Sequence, residues 1–153
     1  MSDLTISSRI TPFLWFDSNA EDAVNFYLSV FKNSRKVGDF RGGPAPEGKP
    51  LTISFELEGI RFTALNGGPQ YQFTPAISFV VSCESQDEVD YFWSHLTADG
   101  GKEVQCGWLV DKFGVSWQVV PKQLPELLKN PKSMAAMMKM KKLNIHELKR
   151  AAE

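Results

Sequence analysis

Residues that build metal centres and covalent chemistry are scarce in this chain. Its 153 residues hold two histidines and two cysteines. Cys83 and Cys106 are too few for a disulfide framework or a cysteine metal cluster. No apolar run approaches the roughly 20 residues of a membrane span. The first residues have neither an apolar core nor a basic lead, so no signal peptide is expected. A net charge of −1 gives no overall reason to bind nucleic acid or an anionic membrane. The expectation is a cytoplasmic protein with no nucleic-acid or membrane partner. Hydrophobic content of 42% and charged content of 23% are globular values, and the length suits one domain or two small halves sharing a core.

What charge there is lies unevenly. Residues 122–153 carry +5 and the first 121 carry −6. A basic tail on an acidic body can dock on that body, on a partner, or stand as a solvated helical face.

The most informative stretch is Cys106 to Pro121. An apolar run (Trp108, Leu109, Val110), a turn on Asp111, Lys112, Phe113 and Gly114, and a run of β-formers closed by Pro121 spell a hairpin. An earlier segment, Glu58 to Leu65, repeats its order. In both, a large aromatic stands three residues after the turn glycine: Phe62 after Gly59, and Trp117 after Gly114.

The rest of the chain repeats as well. Ile10–Phe16 reads as a strand with Pro12 near its start. Ser18-Asn19-Ala20-Glu21 reads as a capping box, opening a helix with Ala20, Ala23, Val24, Tyr27, Val30 and Phe31 on one face. Strands are expected at Lys36–Phe40, Leu51–Leu57 and Arg61–Leu65, with a Gly- and Pro-rich loop over Arg41–Pro50. The second pass runs through a strand at Ile77–Val81, a capping box at Ser85-Gln86-Asp87-Glu88 and a helix facing inward with Val89, Phe92, Trp93 and Leu96. Strands at Lys102–Cys106, Trp108–Val110 and Val115–Val120 complete it. An offset of 66 residues lays one helix on the other. The fold class is therefore α+β. Two tandem βαβββ modules (about residues 8–66 and 74–121) form residues 1–121, and a helical extension of the same domain covers 122–153. In that extension Leu124, Leu127 and Leu128 make a short helix, Met134, Met137, Met138 and Met140 stud the next segment, and Asn144 caps the last helix.

Five of these motifs resemble the PhnB-like family, whose members often carry the label 3-demethylubiquinone-9 3-methyltransferase, within the vicinal-oxygen-chelate superfamily of glyoxalases, bleomycin resistance proteins and dioxygenases. They are Ile10–Phe16, Asn19–Ala23 with Phe26-Tyr27, Leu65–Pro69, Cys106–Trp108 and Asp111–Gln118. The resemblance implies mixed sheets curled round a pocket, commonly in a homodimer. It also implies where a divalent metal would be held in the superfamily's enzymes, by His, Glu or Gln at four positions on the first and last strands of each half. Those positions fall on Pro12, Thr63, Ser78 and Gln118, which offer neither imidazole nor carboxylate, so no metal and no cofactor is expected. His95 on the outer side of the second helix and His146 in the first turn of the last one read as surface residues.

On this reading the pocket is lined by Trp15, Asn66, Ser78, Phe79, Cys106, Trp108 and Gln118, and takes a small organic ligand, aromatic or apolar, with one or two orienting hydrogen bonds. Cys106 reads as an inert thiol and Asp111 as a turn-former. Two rivals stand beside a metal-free binder. One is an enzyme, whether lyase, dioxygenase or methyltransferase. The other is a protein that engages a partner through its basic, Met-rich tail. The methyltransferase label lacks the strand–Gly-rich turn–helix on which most such enzymes hold S-adenosylmethionine.

Overall fold

The last strand of each repeat is an interior strand, because the first strand of the same repeat joins it in parallel. In the computed structural model, which describes residues 4–153, the chain forms two compact units, one running to Gln72 and the other from Phe73 to Glu153. The first holds β1 (Phe13–Phe16), α1 (Ala20–Val30), β2 (Ser34–Phe40), β3 (Thr52–Leu57) and β4 (Ile60–Asn66). The second holds β5 (Ser78–Cys83), α2 (Gln86–Leu96), β6 (Lys102–Glu103), β7 (Trp108–Val110) and β8 (Ser116–Pro121). The sheets run β1-β4-β3-β2 and β5-β8-β7-β6, an identical order. β1 is parallel to β4 and β5 to β8, while the remaining pairs are antiparallel. The twofold strand–helix–three-strand plan is the one the sequence predicts.

Three strands are shorter than expected, β3 by the single residue Leu51. β1 opens at Phe13 rather than Ile10. Pro12 has no N–H to give, although its carbonyl still accepts from the Thr63 N–H at 3.0 Å. The strand expected over Lys102–Cys106 ends at Glu103. Cys106 and Gly107 adopt left-handed backbone (φ 62 and 82), and their N–H groups bond instead to the Met140 and Lys141 carbonyls, each at 2.8 Å. The β3–β4 hairpin turns on Glu58 and Gly59, both at positive φ (52 and 82), the conformation that two-residue hairpin loops favour.

In the first unit the predicted helix face is the buried one. Ala20, Ala23, Val24, Tyr27 and Val30 are all enclosed, and Phe31 follows them. Below the helix, Tyr27 stacks with Phe55 at 6.4 Å and Phe55 with Phe62 at 5.4 Å. In the second unit Val89, Trp93 and Leu96 are buried from α2, and Trp117 and Val119 from β8. Phe92, expected beside them, is only half-buried.

The helix starts differ between the repeats. Ser85 caps α2 as predicted: its Oγ accepts from the Glu88 N–H at 3.3 Å, and the Glu88 carboxylate returns to the Glu84 N–H at 2.7 Å. The capping box at Ser18 does not form, and the N-cap of α1 is Asn19, which makes no side-chain bond there. The link from β1 to α1 spans Asp17–Asn19, one residue more than Glu84–Ser85 between β5 and α2. The orphan N–H at the α1 start finds a partner from the sheet instead. Asn66 Oδ1 accepts from the Ala20 N–H at 2.9 Å, and Asn66 Nδ2 donates to the Pro50 carbonyl at 2.9 Å.

The basic tail docks on its own unit. Its helices are α3 (Leu124–Leu127), α4 (Pro131–Met137) and α5 (Ile145–Ala151), the last capped by Asn144 as predicted. Leu143 and Leu148 are fully buried (0% exposed). Gln86 on α2 donates to the Leu143 carbonyl at 3.0 Å and accepts from the Ile145 N–H at 2.8 Å. Lys142 pairs with Asp90 at 2.9 Å. The Gln86 amide, with Lys142 second, holds the Asp90 carboxyl below its ordinary value.

Three outcomes follow. Ser18→Ala leaves urea stability within about 0.5 kcal/mol of wild type, whereas Asn66→Ala loses roughly 1–3 kcal/mol because two buried backbone groups lose their partner. Leu148→Ala loses about 2–5 kcal/mol by cavity formation. Since the Asp90 carboxyl is lowered on folding, its share of tail docking is complete above its ordinary value of 3.8 and disappears as pH falls through the folded value. Amide exchange at Ile145–Leu148, measured against pH, reads that loss.

Candidate functional site

Strand register fixes which side chains share each sheet face. In β4, Phe62, Ala64 and Asn66 are buried on the helix side, so Arg61, Thr63 and Leu65 stand on the opposite face. Pairing extends that face into rows across the first sheet. One row is Trp15, Leu65, Thr52 and Phe40, and the next is Phe13, Thr63, Ser54 and Gly38. A third contains Arg61, Glu56 and Arg35. On the second sheet the equivalent rows are Val80, Gln118 and Trp108, then Ser78, Ser116, Val110 and Lys102.

This register corrects one assignment. Thr63 and Gln118 each lie four residues past a turn glycine and pair with Phe13 and Val80 respectively, positions 67 apart. The helices begin at 20 and 86, so their offset is 66. The extra link residue before α1 therefore makes Thr11, not Pro12, the counterpart of Ser78.

The second-sheet face gathers three of the expected lining residues. Gln118 Nε2 donates to Ser78 Oγ at 3.0 Å, and Trp108 lies beside Gln118 in register. Ser116 stands next to Ser78, is 2% exposed, and its hydroxyl has no hydrogen-bond partner among the described residues. Phe79 is on the other face, its ring 5.5 Å from that of Trp117. Cys106 lies at the entry to β7, with its thiol 3.6 Å from the Met138 sulfur. In the first unit, Trp15 lies flat against Gly67, where a Cβ would come within 2.4 Å of the ring, and donates to the Gly68 carbonyl at 2.9 Å. Asn66 lies on the helix side, its amide occupied by Ala20 and Pro50.

Asp111 organises the hairpin that carries Trp108 and Gln118. It is 2% exposed, and its Oδ1 accepts from the Phe113 and Val115 N–H groups at 2.8 and 3.1 Å while Oδ2 accepts from the Trp117 indole at 2.8 Å. One carboxylate thus closes the turn and fixes the buried aromatic, so that the next residue, Gln118, projects from the opposite face. His95 is exposed, with Nδ1 2.8 Å from the Tyr91 carbonyl, and His146 is exposed on α5.

The donor set does not suit a catalytic divalent ion. Such an ion wants about three protein ligands drawn from imidazole, thiolate or carboxylate. Thr11, Thr63, Ser78 and Gln118 supply three hydroxyls and one amide, and among the described residues no three His, Cys, Asp or Glu side chains cluster. No described helix is long and apolar enough to cross a membrane.

The two thiols differ in access. Burial, with Glu88 adding its charge, pushes the Cys83 thiol up to about 12. Iodoacetamide at pH 8 is expected to label Cys106 in the native protein and Cys83 only in denaturant, with peptide mass spectrometry as the readout.

Comparison with known proteins agrees with this architecture. Residues 8–120 match the sequence profile described as 3-demethylubiquinone-9 3-methyltransferase. The Bacillus cereus PhnB protein, described with the same methyltransferase name, is 36% identical, with a TM-score of 0.69 over 74% of this chain and 99% of that one. A Pseudomonas aeruginosa protein is 20% identical, with a TM-score of 0.61 over 76% and 98% of the two chains. The Listeria monocytogenes fosfomycin resistance protein FosX, solved with Mn(II) and sulfate, shares the fold at 15% identity and a TM-score of 0.53 over 82% and 98%. No curated protein sequence matches. The chain belongs to the 3-demethylubiquinone-9 3-methyltransferase, or PhnB-like, family.

Proposed function

We propose that this chain binds a small aromatic or apolar organic ligand on the helix-free face of its second sheet, without a metal. The observation that carries this reading is the buried, unpartnered Ser116 hydroxyl beside the Gln118–Ser78 bond. A buried hydroxyl without a partner is expensive, and natural proteins keep few of them. Here it shares a face with Trp108, Val80 and Val110, which supply apolar and aromatic surface. The half-buried Gln118 amide beside it supplies one or two orienting hydrogen bonds, the pattern of a small-molecule site. The two rows hold no carboxylate or imidazole, and their one cation, Lys102, pairs with Val110 at the far edge of the sheet, so the polar group of a ligand at Ser78 and Gln118 is neutral. A group held there is recognised and oriented.

The family's methyltransferase description suggests another reading, in which S-adenosylmethionine is bound. Such a cofactor is usually cradled by glycine backbone between a strand and the following helix. The corresponding links here are Asp17-Ser18-Asn19 and Glu84-Ser85, neither of which holds a glycine. On the binding reading, S-adenosylmethionine leaves the melting temperature unchanged.

The direct test is mass spectrometry of small molecules released from the purified chain by organic solvent. Wild type is expected to release one species in near-stoichiometric amount. Trp108→Ala and Gln118→Ala release at least tenfold less, while Cys106→Ser releases as much as wild type. Equal release from all four proteins, or a melting temperature raised by S-adenosylmethionine, contradicts the reading.

A further inference from the structure

The first sheet has a different chemistry at the corresponding corner. Ser78 and Ser116 pair in register on the second sheet. Their counterparts on the first are Thr11 and Arg61, because the parallel register of Phe13 with Thr63, carried two residues back, sets Thr11 beside Arg61. The Thr63 N–H bond to the Pro12 carbonyl, 3.0 Å, carries the ladder one residue past Phe13, next to Thr11.

Arg61 is unusual for a surface-sheet arginine, since only 12% of its side chain is exposed. Its Nε and Nη2 reach one oxygen of Glu56, both at 3.4 Å, which is long for a charged pair. The same carboxylate has a closer partner in Arg35, at 3.0 Å. Among the described residues the remaining N–H groups of Arg61 meet no acceptor. The Thr11 Oγ1, also buried, has no hydrogen-bond partner either. A guanidinium has five donors in a fixed planar fork, and those of Arg61 not turned to Glu56 remain open to a ligand.

We propose that Arg61 and Thr11 form a binding site for the carboxylate of a small aromatic or apolar acid. Three observations select that class. The fork of an arginine matches a planar carboxylate through two parallel hydrogen bonds. The row holds Arg35 and Arg61 against Glu56, a net single positive charge, which balances a monoanion and not a dianion. Phe13, in the adjacent row of the same face, is 59% exposed and offers apolar surface to the body of the acid. The site draws on no residue of the second unit and does not rest on the proposed role of Ser116.

Calorimetric titration of the full chain tests this with benzoate, benzamide and inorganic phosphate as probes. Benzoate is expected to bind at least tenfold more tightly than benzamide or phosphate. Arg61→Met weakens benzoate at least tenfold, and Thr11→Val at least threefold. Arg41→Met, which removes an exposed cation in the loop after β2, changes it less than twofold. Glu56→Gln is expected to tighten benzoate severalfold, since it removes the negative charge that competes for Arg61, and a gain cannot come from misfolding. Benzamide or phosphate binding as well as benzoate, an unchanged affinity in Arg61→Met, or no gain in Glu56→Gln overturns the proposal. The titrations are repeated in Trp108→Ala, so that benzamide held by the second-sheet surface does not enter the comparison and the two proposals fail separately.

Discussion

The parallel pairing of the first strand of each repeat with its last strand is the constraint on which the rest depends. It places β4 and β8 inside their sheets, with one face under a helix and the other clear of it. Alternation then does the sorting: Phe62 and Trp117 go under the helices, and Thr63 and Gln118 stand opposite. A one-residue slip would exchange the two sets and bury an amide where an aromatic belongs. The two units resist that slip by different means. In the first, stacked Tyr27, Phe55 and Phe62 hold register, while in the second the Asp111 carboxylate ties the turn to the Trp117 indole.

Within this shared frame the repeats have diverged in chemistry. The corner that holds Ser78 and Ser116 on the second sheet holds Thr11 and Arg61 on the first. One corner is neutral and hydroxylic, the other cationic. Neither has the imidazoles and carboxylates that a divalent ion requires, whereas FosX, of the same fold, was solved with Mn(II). A common frame thus carries different donor sets, and function has to be argued from the side chains on the faces.

Much of the fold was legible in the sequence, and for identifiable reasons. The α1 face and both hairpins follow from spacing alone, and the match of Phe62 with Trp117 followed from counting from the turn glycines. The Ser18 cap was not legible, because a link one residue longer moved the helix start to Asn19 and handed its N–H to Asn66, 46 residues away in the chain. The same residue displaced the counterpart of Ser78 from Pro12 to Thr11. The docking of the tail on α2 depends on Gln86, a polar residue that periodicity treats as solvent-facing. Of the site, Gln118 with Ser78 was found from the repeat. Ser116 followed from alternation, but its missing partner is visible only in three dimensions. Arg61 stood two residues from Thr63 on the same face, and alternation alone would have found it.

The central claim is that the helix-free faces present hydrogen-bond donors to an organic ligand in place of metal ligands to an ion. Anomalous scattering from crystals of this chain soaked in Mn(II) measures that most directly. The account predicts no anomalous peak within coordination distance of Thr63, Ser78 or Gln118. A full-occupancy manganese bound to any of these side chains would contradict it.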